Sequence, residues 1–249
     1  MNFSGTIAHI PARGGSKRVP KKNLRLMAGQ PMMSYAVREA LLASGLDAVY
    51  VNTDDADMAA LGEALGAKVH HRPPHLAVDE AGSDDFNAEI ISTLQPQTLV
   101  MINPVCPLIT AQDIEQALQA YRQAREADGV DTLIAASMTH MQTFCEGKPV
   151  NVSVEEGLRP SQENPEVAVL NWAVSIWDAP AFLDRYQRFG FGVWGSRRLL
   201  YRLPVLQAAK VSDEGDFLLC EALLLARRQQ QEHGAKAPVF WAPGQPVDA

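Results

Sequence analysis

Between Ile10 and Asn23 the chain reads Ile-Pro-Ala-Arg-Gly-Gly-Ser-Lys-Arg-Val-Pro-Lys-Lys-Asn, a glycine pair set among the cations Arg13, Lys17, Arg18, Lys21 and Lys22. Gly14 and Gly15 permit backbone conformations and close approaches that a Cβ would block, so their amides can converge on an anion. The surrounding cations can neutralise a polyphosphate. The same residues could form a solvated basic turn. Position favours the phosphate reading, because the loop follows the apolar run Thr6 to Ile10, and open α/β sheets bind ligands beyond the carboxyl ends of their strands. The spacing is neither that of a Walker loop nor Gly-x-Gly-x-x-Gly.

This segment resembles the signature of the acylneuraminate cytidylyltransferases, the family that activates sialic and related nonulosonic acids. The resemblance runs through most of the chain and weakens after about residue 100. It implies attack by a sugar hydroxyl on the α-phosphorus of CTP, with pyrophosphate leaving. Charge then builds on phosphoryl oxygens, so fixed cations are the main requirement. By resemblance, Arg13 and Lys22 hold the triphosphate, Gly15, Ser16 and Asn23 position it, and Lys17 stabilises the transition state. Val51-Asn52-Thr53-Asp54 resembles the family's Ser-Thr-Asp segment at the end of its second strand, which gives Asn52 a ligand contact. Capping of the helix that follows is the alternative for Asn52 or Thr53. Asp79 to Asp85 resembles an acidic, serine-rich loop and places Asp79 and Ser83 near the nucleoside, while Ser83 could equally cap a helix.

Later segments depart from the family pattern. Where the family usually reads Gln-Pro-Thr-Ser-Pro-Leu-Arg, this chain has Asn103, Cys106 and Ile109 at the altered polar positions. Asn103 keeps an amide of shorter reach, and Cys106 reads as a small buried side chain. Gln162 and Asn171 resemble residues that face the sugar acid, and Arg159 could grip its carboxylate bidentately. Trp172 stands where the family has glycine. The family's two metal-binding aspartates fall on Lys210 and Ser212. Asp213 and Asp216 are the nearby carboxylates that could hold Mg²⁺ if the loop shifts, or they could favour the start of a helix through its dipole. Lys210 could supply positive charge in the ion's place. Asn23, in Pro-Lys-Lys-Asn, points to the sialic-acid side rather than to octulosonic-acid cytidylyltransferases, the nearest alternative. A nucleotide-sugar binding protein that kept the loop and lost catalysis is the rival from another class.

The elements that must position these residues are those of an α/β chain. Apolar runs and amphipathic stretches alternate through the first half, as in a Rossmann-like nucleotidyltransferase fold with a mostly parallel sheet. The patterning predicts strands at 6–10, 48–52, 68–71 and 98–103, and helices at 31–44, 56–65, from Ser83, and at 110–122. A strand-like run follows at 172–177 and an apolar helix at 216–231. The texture from about 139 to 171 is irregular and reads as an insertion, which the resemblance identifies as a dimerisation extension and hence implies a homodimer. A length of 249 residues, 47% hydrophobic and 20% charged, suits a single domain over 1–249. A net charge of -7 argues against a nucleic-acid partner. The three cysteines lack CxxC spacing, so no disulfide framework or zinc site is expected. No leader and no apolar run of membrane-spanning length is apparent, so the expected setting is cytoplasmic, with CTP and an acidic sugar as partners and no membrane.

Overall fold

The computed structural model describes residues 2–15 and 19–234. Strand β1 (Thr6–Pro11) comes first, and the short pair β2 (Leu26–Met27) and β3 (Gln30–Pro31) leads into α1 (Met32–Leu42). Then follow β4 (Ala48–Thr53), α2 (Ala56–Leu65), β5 (Lys68–His71), α3 (Ser83–Leu94), β6 (Thr98–Ile102), α4 (Ala111–Asp128) and β7 (Thr132–Thr139). Beyond a small hairpin, β8 (Phe144–Cys145) and β9 (Lys148–Pro149), the chain returns through β10 (Val167–Asp178), α5 (Ala179–Phe189), β11 (Arg198–Arg202) and α6 (Glu214–His233). Seven strands form one sheet in the order β11-β7-β10-β6-β1-β4-β5. Only β10 runs antiparallel to its neighbours, β6 and β7.

The sheet is covered on both faces, which is why its strands read as nearly continuous apolar runs. Because side chains alternate along a strand, Ala8, Ile10, Val100 and Ile102 face α1 and α4, packing on Met33, Val37, Ile114 and Leu118. Ile7, Leu99, Met101 and Trp177 face the other way, onto Ile90 and Ile91 of α3 and Phe182 of α5. A third apolar cluster joins α6 to the first turn of α1 through Phe217, Cys220, Leu224, Met27 and Met32. Chain order changes direction at β1: β4 and β5 lie on one side of it, while β6 lies on the other. Such a switch point opens a crevice at the carboxyl ends of the strands.

The expected elements of the first half are present, with corrections in detail. Helix α4 runs on past Arg122 to Asp128, where Gly129, at φ 65°, ends it. Strand β10 starts at Val167, five residues before the expected run, and β7, α5 and β11 were not anticipated. Two capping alternatives fail. Asp55, rather than Asn52 or Thr53, accepts from Met58 N at the start of α2. Gly82, rather than Ser83, precedes α3, its N–H donating to Asp85 Oδ2.

The irregular segment spans 140–166 and joins two paired antiparallel strands, since Val167 of β10 registers with Thr139 of β7. Buried Asn151 organises it, accepting from Thr143 N and donating to Met141 O and Pro165 O. Met141, Phe144, Val154 and Leu158 are exposed there. Among the described residues, no helix is long and apolar enough to cross a membrane.

Candidate active site

A cavity of about 840 Å³ opens at the crevice. Its first wall is the loop after β1. Ala12 N donates to Asn52 O, and Gly14 N donates to Asp54 Oδ1, so the loop is tied to the end of β4 as far as Gly14. A Cβ on Gly15 would meet nothing within 4 Å, which leaves open space beside that amide. Arg13 lines the cavity and pairs with Asp79 at 2.5 Å. Lys22 and Asn23 line it too; Lys22 Nζ donates to Val211 O at 2.9 Å, and Asn23 is buried with Nδ2 against the Met58 sulfur. Ser16 and Lys17, with Arg18, lie outside the described residues.

The floor holds a residue that sequence reading missed. Arg72, the residue after β5, is 5% exposed yet lines the cavity. Its Nε donates to Asn52 Oδ1 and its Nη2 to Asn52 O, each at 3.0 Å, and the guanidinium stacks on Phe86 at 4.5 Å. Burial lowers its pKa to about 10, opposed by the charge of Asp54, so it remains a cation at neutral pH. Asn52 itself is fully buried and is not among the lining residues; its Nδ2 lies 3.4 Å from His9 Nδ1. Burial drives the His9 imidazole down to about 3 and keeps it neutral, so it is suited to accept from Asn52 at Nδ1. His9 therefore orients Asn52, and Asn52 orients Arg72. The available cue was Arg72-Pro73-Pro74, a cation directly past a strand's carboxyl end with the following proline holding its backbone extended.

A second wall comes from the start of α3 and the loop between α5 and β11. Ser83 lines the cavity, and Asp84 Oδ1 accepts from Gly192 N at 2.5 Å and Val193 N at 2.8 Å. Trp177 Nε1 donates to Val193 O, and Asp131 accepts from Ser196 N and Arg197 N. The loop is thus pinned at both ends, which holds Val193 and Trp194 in the cavity wall. The chain as a whole is acidic, yet Arg13, Lys22, Arg72 and Lys210 converge on one cavity alongside Asp79 and Asp84. That arrangement suits a polyanion with an uncharged end.

The model of the cytidylyltransferase family matches residues 7–165. The chain belongs to the cytidylyltransferase family. It is 38% identical over 114 residues to an N-acylneuraminate cytidylyltransferase B from Danio rerio, covering 45% of this chain and 26% of that protein. It is 33% identical over 120 residues to a pseudaminic acid cytidylyltransferase from Campylobacter jejuni subsp. jejuni serotype O:2, covering 46% of this chain and 52% of the relative. The chain thus matches about a quarter to a half of the length of these relatives. The solved CMP:2-keto-3-deoxy-manno-octonic acid synthetase complexed with CTP superposes with TM-score 0.65 at 17% identity, covering 90% of this chain and all of that one. At that identity the likeness concerns the cytidylyltransferase fold alone.

Against that family, the later departures have distinct structural outcomes. Asn103 lines the cavity, with its Oδ1 accepting from Val105 N. Ile109 is buried in the core, and burial pushes the Cys106 thiol up to about 12, so it is protonated at neutral pH. The amide of Asn171 is engaged within the sheet, donating to Ser137 Oγ and accepting from Ala173 N. Arg159 and Gln162 sit in the 140–166 segment, where Arg159 pairs with Glu156; neither lines this cavity. Asp213 and Asp216 do not fit a protein-held Mg²⁺. Asp213 caps α6 by accepting from Asp216 N, and Asp216 Oδ2 accepts from Ser212 N and Asp213 N. Lys210, with no lone pair while protonated, lines the cavity instead.

Proposed function

We propose that this chain transfers CMP from CTP to the anomeric hydroxyl of a nonulosonic, sialic-acid-like sugar, releasing pyrophosphate. The observation that carries the reading is the convergence of Arg13, Lys22, Arg72 and Lys210 on one cavity beside the open Gly15 backbone. The sugar oxygen bonds to the α-phosphorus, the bond from that phosphorus to the bridging oxygen of the β-phosphate breaks, and the hydroxyl proton is released. Negative charge grows on the departing pyrophosphate, which preorganised cations stabilise. Lys22 and Lys210 stand on the phosphate side, Arg72, Asp79 and Ser83 on the nucleoside side. Lys17, outside the described residues, enters the reading by resemblance, as the cation that stabilises the transition state. Because Asp213 and Asp216 are engaged in capping α6, any Mg²⁺ would come with the nucleotide's phosphates.

The test is pyrophosphate release from CTP across N-acetylneuraminic, legionaminic, pseudaminic and octulosonic acids. At least one acid is expected to support turnover, and Lys17→Ala and Lys22→Ala should each lower kcat/KM by about 10²- to 10³-fold. The burial of Ile109 and the presence of Lys210 favour one competing reading, a nucleotide-binding protein without catalysis. CTP binding without pyrophosphate from any acid, whatever divalent ion is added, would establish it.

The same reading includes a homodimer in which the 140–166 segment packs against a second copy. Exposed Met141, Phe144, Val154 and Leu158, four large apolar side chains within one segment, support it. Sedimentation equilibrium at micromolar concentration should give twice the chain mass, and a monomer there removes the proposal.

A further inference from the structure

Cytidylyl transfer needs a second substrate beside the nucleotide, and Trp172 and Trp194 both line the cavity. Trp172 sits at φ 59°, in the left-handed region that bulky L residues rarely adopt. The register of β10 against β7 shifts between Leu170 and Ser175, an irregularity that frees residue 172 from the strict alternation of the strand. Glycine would hold this backbone without strain. The chain instead carries the largest side chain there, and an outlier of this kind is maintained where the surroundings over-determine it, often for function. The two indoles meet edge-on, with ring centroids 5.4 Å apart and planes at 70°. Trp194 is held in place by the loop that Asp84 anchors through Gly192 and Val193.

We propose that the Trp172–Trp194 pair determines acceptor specificity, selecting sugar acids whose tail is N-acylated and deoxygenated and rejecting those whose tail is hydroxylated. The inference rests on the cytidylyl-transfer reading above. Indole rings pack well against C–H groups and acyl methyls. Two of the polar groups nearby already have partners: Asp84 Oδ1 accepts two backbone N–H groups, and the Asn171 amide is bonded to Ser137 and Ala173. A sugar hydroxyl lodged against the indole faces would lose water and gain no partner from them. Two indoles in the cavity wall also take up space, so the pair acts through size as well as polarity.

Steady-state kinetics with two acceptors decide the matter: pseudaminic acid, a deoxy diacylamino acid, and N-acetylneuraminic acid, which carries a hydroxylated tail. The unmodified enzyme should favour the first by at least about tenfold in kcat/KM, on the scale of one poorly accommodated group. Trp172→Gly should erase most of that ratio through KM, and Trp172→Phe should fall between. Calorimetry on CTP alone should find its Kd within about threefold of the unmodified value in both variants, which also reports that they fold. Equal kcat/KM on the two acids, or a ratio unmoved by Trp172→Gly, overturns the specificity inference and leaves cytidylyl transfer standing. No pyrophosphate from any acid despite CTP binding overturns both.

Discussion

Arg72→Met is expected to weaken binding of CMP and CTP alike, by roughly 10²-fold, with little change in melting temperature; the loss is that of a desolvated, charge-assisted contact. Arg72 stands with Phe86 and the start of α3, on the side of the cavity assigned to the nucleoside, so the shorter nucleotide should suffer as much as the longer one. The small stability change follows from two opposing effects. Burial depresses the guanidinium pKa to about 10, which means that the charged folded form carries a desolvation penalty at every pH below that value. Removing the charge relieves the penalty. It also strips donors from Asn52 O and Oδ1, both bonded at 3.0 Å; the carbonyl keeps Ala12 N, but Oδ1 is left a buried acceptor without a donor, which costs about 1–3 kcal/mol. Lysine should not rescue binding, because a single ammonium cannot hold both oxygens of Asn52 and lie flat on Phe86. Calorimetric titration with each nucleotide beside a thermal melt tests this directly. CMP binding within about threefold of the unmodified protein would remove Arg72 from the nucleoside site.

How much of this could be read in advance depended on the range of the interactions involved. Helix α2 at Ala56–Leu65 and strand β5 at Lys68–His71 have the bounds their patterns predict, because period and a terminal Gly66 in the left-handed region are local signals. Strand β7 was missed since Thr-Leu-Ile-Ala-Ala-Ser-Met-Thr has weak strand-formers at its centre, and its stability comes from pairing with β10 and β11. Helix α5 did carry a local cue, Asp178 capping Ala181 N with a proline in the first turn, which the apolar run before it obscured. At the site, the basic glycine loop was legible as chemistry because cations and glycines cluster in sequence. Asn52 was singled out as a strand-end polar residue, yet it acts through Arg72, twenty residues away. Only the parallel pairing of β4 with β5 brings those two together. The same holds for Trp172 and Trp194, which a bulge and a pinned loop place in contact.

Lys210 offers the counterpart to Arg72, because it marks the opposite wall. It lines the cavity with Lys22, whose Nζ is fixed on Val211 O at 2.9 Å. Both ammoniums lie close enough to Cys106 to oppose the upward push that burial gives its thiol. Two cations on one wall suit the β- and γ-phosphates, so Lys210→Met should weaken CTP binding by about 10- to 100-fold while CMP stays within about threefold. Titration with a chelator present isolates this contact from any divalent ion brought by the nucleotide. Lys210→Asp carries the argument further. Reversing the charge beside the phosphates should depress CTP affinity more than Lys210→Met does. Added Mn²⁺ should then restore part of the loss, because a carboxylate and a phosphate oxygen can share one hard cation. In the unmodified protein, Mn²⁺ should raise CTP affinity less than in Lys210→Asp, since the ammonium already occupies that side of the phosphates. Equal Mn²⁺ responses in the two proteins, or equal loss of CMP and CTP in Lys210→Met, would place Lys210 away from the terminal phosphates.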